Sequence, residues 1–308
     1  MGKHIAIIGS PSGWGAPVQG SEKSPATLRK AGLVEVLNEC GAHCSWDRMV
    51  PARFSKDEIG RPIQPDEALE LVREHSFRLC DAVKNVMDRG EFPWVIGGDH
   101  SIAVGTWSGV VSALDAAEHF GLIWMDAHLD GHVPETSPSM AFHGMSLATL
   151  LGHGDSCLCS VGAEGAKLSP KHVTVIGARS FQDEEHAFLT KLGVRIIPMS
   201  EVKARGFKVV LEEAMICANS GTVGFGMSLD IDFFDPAFVS STGTPVEGGP
   251  TPETVIPHLA LAAEHPNFKA FELVEYNPEL GDAEHTKALI FSVCEVMAHC
   301  SKEAMSHV

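Results

Sequence analysis

The sequence predicts a three-layer α/β/α fold on one mainly parallel sheet of eight strands, in a single domain spanning 1–308. Three observations carry this reading. Short apolar runs alternate with longer amphipathic ones along the whole chain, which is the pattern of repeated βαβ units. Three of those apolar runs end in His or carboxylates, at Val95 to Ser101 (V-I-G-G-D-H-S), Leu122 to Asp130 (L-I-W-M-D-A-H-L-D) and Gly226 to Pro236 (G-M-S-L-D-I-D-F-F-D-P). Such α/β folds place their chemistry at the carboxyl ends of the strands. Finally, no repeat, low-complexity tract or linker divides the chain.

The first strand is expected at His4 to Ile8, before a Gly/Pro-rich loop from Gly9 to Gly20. The glycines of that loop do not follow G-x-G-x-x-G, and Pro11 and Pro17 interrupt it, so no dinucleotide site is expected. Ser24 followed by Pro25 reads as a cap and first turn, opening a helix to about Asn38. Trp46 to Val50 is the second expected strand, and Arg53 to Gln64 a polar loop. Pro65 to Met87 carries Leu69, Val72, Leu79, Cys80, Val83 and Met87 on one helical stripe, closed by Gly90. Further strands are expected at Trp94 to Ile96, Gly121 to Met125, His172 to Ile176, Val194 to Ile197, Val223 to Leu229 and Phe268 to Val274. Helices are expected at Ser101 to His119, His143 to Leu151, Glu184 to Leu192, Ser200 to Ala218, Pro252 to His265 and Ala283 to His299. The Gly/Ser-rich stretch from Gly152 to Leu168 reads as a loop.

With 308 residues, 44% hydrophobic and 20% charged, the chain can bury roughly three quarters of its unfolded surface. The formal charge is −17, with no basic stripe, which argues against nucleic acid as a partner. No apolar run approaches the roughly 20 residues of a membrane helix, and no signal peptide is visible. The eight cysteines are scattered and lack zinc-site spacing, so free thiols in a reducing, cytoplasmic setting are expected.

The chemistry lies in the three strand ends. Alternate residues of an extended chain share a face, so Asp126, His128 and Asp130 are expected to converge. His100, Asp230 and Asp232 come from the other two strands. One buried His, or one Asp after a strand, is ordinarily a hydrogen-bonded core group or a cap. Several buried carboxylates packed together repel one another unless a cation lies between them. Six ligands rich in carboxylate suit two ions, and Asp with His suits Mn, Fe, Zn or Ni. Two ions can lower the pKa of a shared hydroxide towards neutrality.

At these residues the chain resembles the arginase/agmatinase ureohydrolases. G-G-D-H-S, D-A-H-L-D and S-L-D-I-D-F-F-D-P are similar to that family's three signatures. Gly20 to Leu33, T-G-T-P-V-E-G-G (Thr242 to Gly249) and V-E-Y-N-P (Val274 to Pro278) extend the likeness over nearly the whole chain. The resemblance implies an arginase-like sheet, two Mn ions (Ni or Co on the same ligands) and a homotrimer or homohexamer. It implies one ion on His100, Asp126, Asp130 and Asp230, and the other on Asp126, His128, Asp230 and Asp232. It implies hydrolysis of a guanidino C–N bond by a metal-bridging hydroxide, releasing urea and an amine. Asp130 would orient the hydroxide, His143 would carry protons, and Glu275 would pair with the guanidinium beside the Thr244 hydroxyl.

The substrate end departs from arginases. Arginases have Asn where this chain has His132, and usually Asn at Ala141; Ser139 is retained. Where they read the α-amino group with Asp, this chain has Gln182. Arginine is the nominal substrate. Agmatine, guanidinobutyrate and guanidinopropionate are the alternatives, with formimidoylglutamate behind them. Two other classes use a similar scaffold. Two-metal phosphoester hydrolysis would want Arg or Lys near the site for phosphate, and only Arg179 is a candidate. A non-catalytic subunit should have lost ligands, whereas all six are present.

Overall fold

The computed structural model describes residues 3–54 and 63–301. The loop expected at 53–64 therefore lies largely outside the described residues. Eight strands form one sheet: β1 (Ile5–Ser10), β2 (Cys44–Met49), β3 (Phe92–Gly97), β4 (Gly121–Met125), β5 (Val173–Ile176), β6 (Arg195–Ile197), β7 (Phe225–Asp230) and β8 (Phe268–Val274). Their order is β2-β1-β3-β8-β7-β4-β5-β6, and every pairing is parallel. Parallel strands need crossovers, and the amphipathic runs supply them as helices.

Alternation along the strands divides the core in two. Ile5, Ile7, Trp94, Ile123, Met125 and Met227 point to one face. There they meet α1 (Ser24–Lys30), α2 (Leu33–Glu39), α8 (Met199–Arg205), α9 (Phe207–Asn219), α10 (Pro252–Ala263) and α11 (Ala283–Met297). Ala6, Ile8, Val95, Leu122 and Trp124 point to the other. They meet α3 (Pro65–Asp88), α4 (Ala103–Leu114), α5 (Ser146–Leu150) and α7 (Asp183–Leu192). α6 (Ser156–Cys159) sits within the Gly/Ser-rich stretch. Each large apolar side chain buried this way stabilises the fold by about 1.5–3 kcal/mol.

Several expected helices are shorter than their periodicity. The helix expected over Ser24 to Asn38 breaks at Gly32, whose φ is 83°, and Ser24 opens the helix without capping it. The Ser200 to Ala218 helix breaks at Gly206, at φ 86°. Left-handed backbone is cheap for glycine, and an apolar period does not register it. The run from Ser101 starts as a 3-10 turn at His100–Ile102, and its helix ends at a left-handed Asp115. Seven of the cysteines are free thiols. The side chain of Cys300 lies outside those described.

Candidate metal centre

The sheet builds the site in rows. Register aligns Trp124, Ser228 and Glu272 across β4, β7 and β8. Two residues further on, the same face carries Asp126 and Asp230 at the carboxyl edge, and β3 delivers His100 in the turn that follows it. An extended chain does not make Asp126, His128 and Asp130 converge, contrary to expectation. The strand stops at Met125, and Asp126 Oδ1 accepts the His128 N–H at 2.7 Å. Asp230 Oδ1 accepts the Asp232 N–H in the same way at 2.8 Å. These are Asx turns. Asp130 then bends inward on left-handed backbone, φ 48°, a conformation that costs a non-glycine residue about 1–3 kcal/mol.

Two ligand groups result: His100 with Asp126 and Asp130, and Asp126 with His128 and Asp232. Asp126 belongs to both. Asp230 Oδ2 lies 3.4 Å from His100 Nδ1, so all six expected residues meet at one place. The four carboxylates and His100 are buried, and His128 is a quarter exposed.

The donor set fits cations. His100 Nε2 donates to Ser228 Oγ at 2.9 Å, because the Ser228 hydroxyl itself donates to Glu272 Oε2 at 2.6 Å. His100 Nδ1 is therefore turned away from this relay and is buried without a hydrogen-bond partner. It faces oxygens of Asp126, Asp130 and Asp230 at 3.1, 3.0 and 3.4 Å. A ring nitrogen facing three carboxylates calls for positive charge at this point, a bound cation or a second proton on the ring. Burial opposes charge on the ring, yet these carboxylates raise the His100 pKa well above the usual range. Protonation directions say the same. Burial opposes charge on His128, yet Asp232 and Asp126 lift it to about 12. Burial and the Asp126 charge push the Asp130 carboxyl up to about 6, and burial with Asp232 and Asp126 pushes Asp230 up well above the usual range.

His143 Nδ1 lies 3.0 Å from Glu275 Oε1. Burial works against its charge, but Glu275, Asp130 and Asp99 raise its pKa to about 9. Glu275, also left-handed at φ 65°, spends the same oxygen on the His100 N–H at 2.9 Å. It is buried and stands behind His143 rather than in the cavity wall.

A cavity of about 150 Å³ opens over the centre. Its floor is His128, Asp130, Asp230, His143 and Thr244; His132, Ser139, Ser180, Gln182 and Glu185 stand round its mouth. Thr244 donates to Asp232 Oδ2 at 3.1 Å. His132 Nε2 lies 2.6 Å from Gln182 Oε1 and 3.4 Å from Glu185 Oε2. The expected substrate residues thus gather round one cavity, with Glu275 just behind it.

Sequence reasoning missed four residues. Asp99 lies within the G-G-D-H-S signature itself. It accepts the Gly15 N–H at 2.8 Å and the Ser101 N–H at 2.8 Å, tying down the loop whose Gly15 carbonyl receives the His143 N–H. Glu185 is a buried acid in the first turn of α7, where acids are common enough to escape notice. Glu272 and Ser228 are polar residues in the buried stretches of β8 and β7, the available signal for both. Arg179, the phosphate candidate, is already committed. Its guanidinium donates to carbonyls of Gly177, Asp232, Phe233, Phe234, Val246 and Glu247.

The chain is similar to known proteins over nearly its whole length. The arginase family model matches residues 3–300. The arginase of Bacillus caldovelox is 37% identical over 290 residues, covering 93% of this chain and 95% of its own. That of Bacillus subtilis is 34% identical over 291 residues, covering 93% and 94%. The Bacillus caldovelox arginase structure superposes with a TM-score of 0.89 at 34% identity, over 98% of this chain and 100% of that one. The fold and the strand-end ligands define a metal-dependent α/β hydrolase. The chain belongs to the arginase family. No helix among the described residues is long and apolar enough to cross a membrane.

Proposed function

We propose that this protein hydrolyses the guanidino C–N bond of a small guanidino compound, with arginine as first substrate, releasing urea and an amine. The observation that carries the reading is His100 Nδ1 aimed at three buried carboxylates beneath a cavity. We assign two Mn ions to the centre, with Ni or Co able to use the same donors. His100, Asp126, Asp130 and Asp230 hold one, and Asp126, His128, Asp230 and Asp232 the other. When bound, such a pair lowers the pKa of water towards neutrality and supplies the nucleophile.

The chain's residues do the rest. Asp130 orients the attacking oxygen from the cavity floor. His143, held through Nδ1 by Glu275, presents its other nitrogen to the cavity and delivers a proton to the leaving amine. Glu275 supplies the carboxylate charge towards the guanidinium, and Thr244 the neighbouring hydroxyl. Ser139, His132 and Gln182 contact the substrate's far end. Glu185 restores there the anion that Gln182 lacks, which supports a substrate bearing an ammonium group.

A second reading has its own observation. His132 already faces Glu185 and Gln182, so a guanidino acid without an α-ammonium group would find an imidazole hydrogen-bond partner for its carboxylate in His132. Urea release by the Mn-loaded and Ni-loaded protein from arginine, agmatine, guanidinobutyrate, guanidinopropionate and formimidoylglutamate decides between them. Turnover led by arginine supports the first reading. Arginine inert beside an active guanidino acid supports the second, and no urea with both metals bound refutes both. We also infer a homotrimer or homohexamer, to be checked by light scattering.

A further inference from the structure

Glu272 is a wholly buried carboxylate in the middle of β8, a position that ordinarily destabilises a fold unless the group has a compensating role. It lies outside the cavity wall and outside both ligand groups, so the reaction described above does not use it. Its place in the register row Trp124–Ser228–Glu272 puts it one row below Asp126 and Asp230. Two donors converge on its Oε2: the Ser228 hydroxyl at 2.6 Å and the Trp107 indole N–H at 3.1 Å. A serine has one hydrogen to give. Because Ser228 gives it to Glu272, its oxygen can only accept from His100 Nε2 at 2.9 Å. The direction of that short relay places an imidazole proton on Nε2 and turns Nδ1 towards the carboxylates. Trp124 stacks on the same ring, centroids 4.0 Å apart and planes within 9°, so the ring plane is held as well as its proton.

We propose that Glu272 is a positioning residue for the metal centre, acting through Ser228 to fix the tautomer and raise the basicity of His100. The inference rests on the proposed role of His100 as a metal ligand. Groups that orient a metal-binding imidazole typically contribute 10–100-fold in metal affinity.

The test is Mn binding to the purified full chain by chelator competition, alongside the melting temperature of the metal-free protein. Glu272→Gln keeps shape and hydrogen bonding to Ser228 but removes the charge. It should weaken one of the two ions about tenfold while the metal-free protein stays at least as stable, since a buried charge is gone. Ser228→Ala should weaken the same ion to a similar degree. The double variant should be no weaker than the worse single one, because both act through one relay. Ser228→Thr, which keeps the hydroxyl, should restore affinity. Affinities equal to the parent's would overturn the proposal. So would losses that multiply in the double variant, or a loss of affinity matched by a fall in metal-free stability. If Ser228→Ala does not fold, Glu272→Gln alone carries the decision. A parent chain that binds no Mn would overturn the proposed function as well.

Discussion

Arg179→Ala should damage both the fold and one half of the metal centre, although Arg179 touches no ligand side chain. Its guanidinium clamps the loop that follows β7 onto the loop that follows β5. Two of its bonds are short, to the carbonyls of Asp232 at 2.8 Å and Val246 at 2.9 Å. The bonds to Gly177, Phe233, Phe234 and Glu247 are 3.2–3.3 Å and share the remaining N–H groups. A hydrogen bond to a charged donor is worth about 1.5–3 kcal/mol, and orphaning a buried acceptor costs about 1–3. Counting the two short bonds and discounting the rest gives a loss of about 3–5 kcal/mol. That corresponds to a melting-temperature drop of roughly 5–10 °C. Because Asp232 hangs from the clamped backbone, the ion shared with His128 should bind more weakly than the one on His100. Arg179→Lys should recover part of the loss, since an ammonium donates three bonds but not in a planar fork. Urea denaturation at constant m, with metal content after dialysis, measures both effects. An alanine variant with the parent's midpoint and two bound ions would refute the clamp.

Two further outcomes follow from named residues. His128→Ala should strip one ion and abolish urea release, because His128 is the only imidazole on its ligand group; full turnover with one ion, read by elemental analysis, would sink the two-metal mechanism. His75 is buried beside Ser10 Oγ at 2.7 Å, and burial, aided by Arg78, lowers its pKa from 6.5 to about 4. The unfolded chain therefore takes up the proton first, so stability is fully present above about pH 6.5 and is lost as pH falls towards 4. One pKa unit is about 1.4 kcal/mol, which makes the His75 contribution at pH 5 about 2 kcal/mol. His75→Gln should lose correspondingly less stability between pH 7.5 and 5 than the parent; parallel pH profiles would contradict this.

The sheet and the ligands were legible because each left a strong local mark. An apolar run ending in D-x-H-x-D or D-x-D combines a buried strand with charges that no ordinary core tolerates, and three such runs specify the carboxyl edge of a parallel sheet. What the pattern could not carry was backbone detail. The turn at Asp126, the left-handed Asp130 and Glu275, and the breaks at Gly32 and Gly206 depend on φ values that hydrophobic period does not encode. Glu185 was hidden for a different reason. In sequence it is one acid among three at the start of a helix, and only the tertiary approach of α7 to the loop at Gly131 (whose N–H it accepts at 2.9 Å) turns it into cavity wall.

That approach also bears on how the substrate is chosen. The floor of the cavity is built from strand ends fixed by the sheet, and its polar atoms are pinned twice over, as Asp232 is by the Ala127 N–H and the Thr244 hydroxyl. The mouth is built from loop 131–144 and the first turn of α7, where Gln182 and Ser139 are exposed. A floor built by the sheet and a mouth built by loops separate reaction from recognition: changes at the mouth should alter which guanidino compound enters without moving the groups that break the bond. Exchanging His132 or Gln182 should therefore change KM and substrate order while leaving metal content at two ions. A mouth substitution that emptied the metal centre would mean that recognition and catalysis are not separable in this fold.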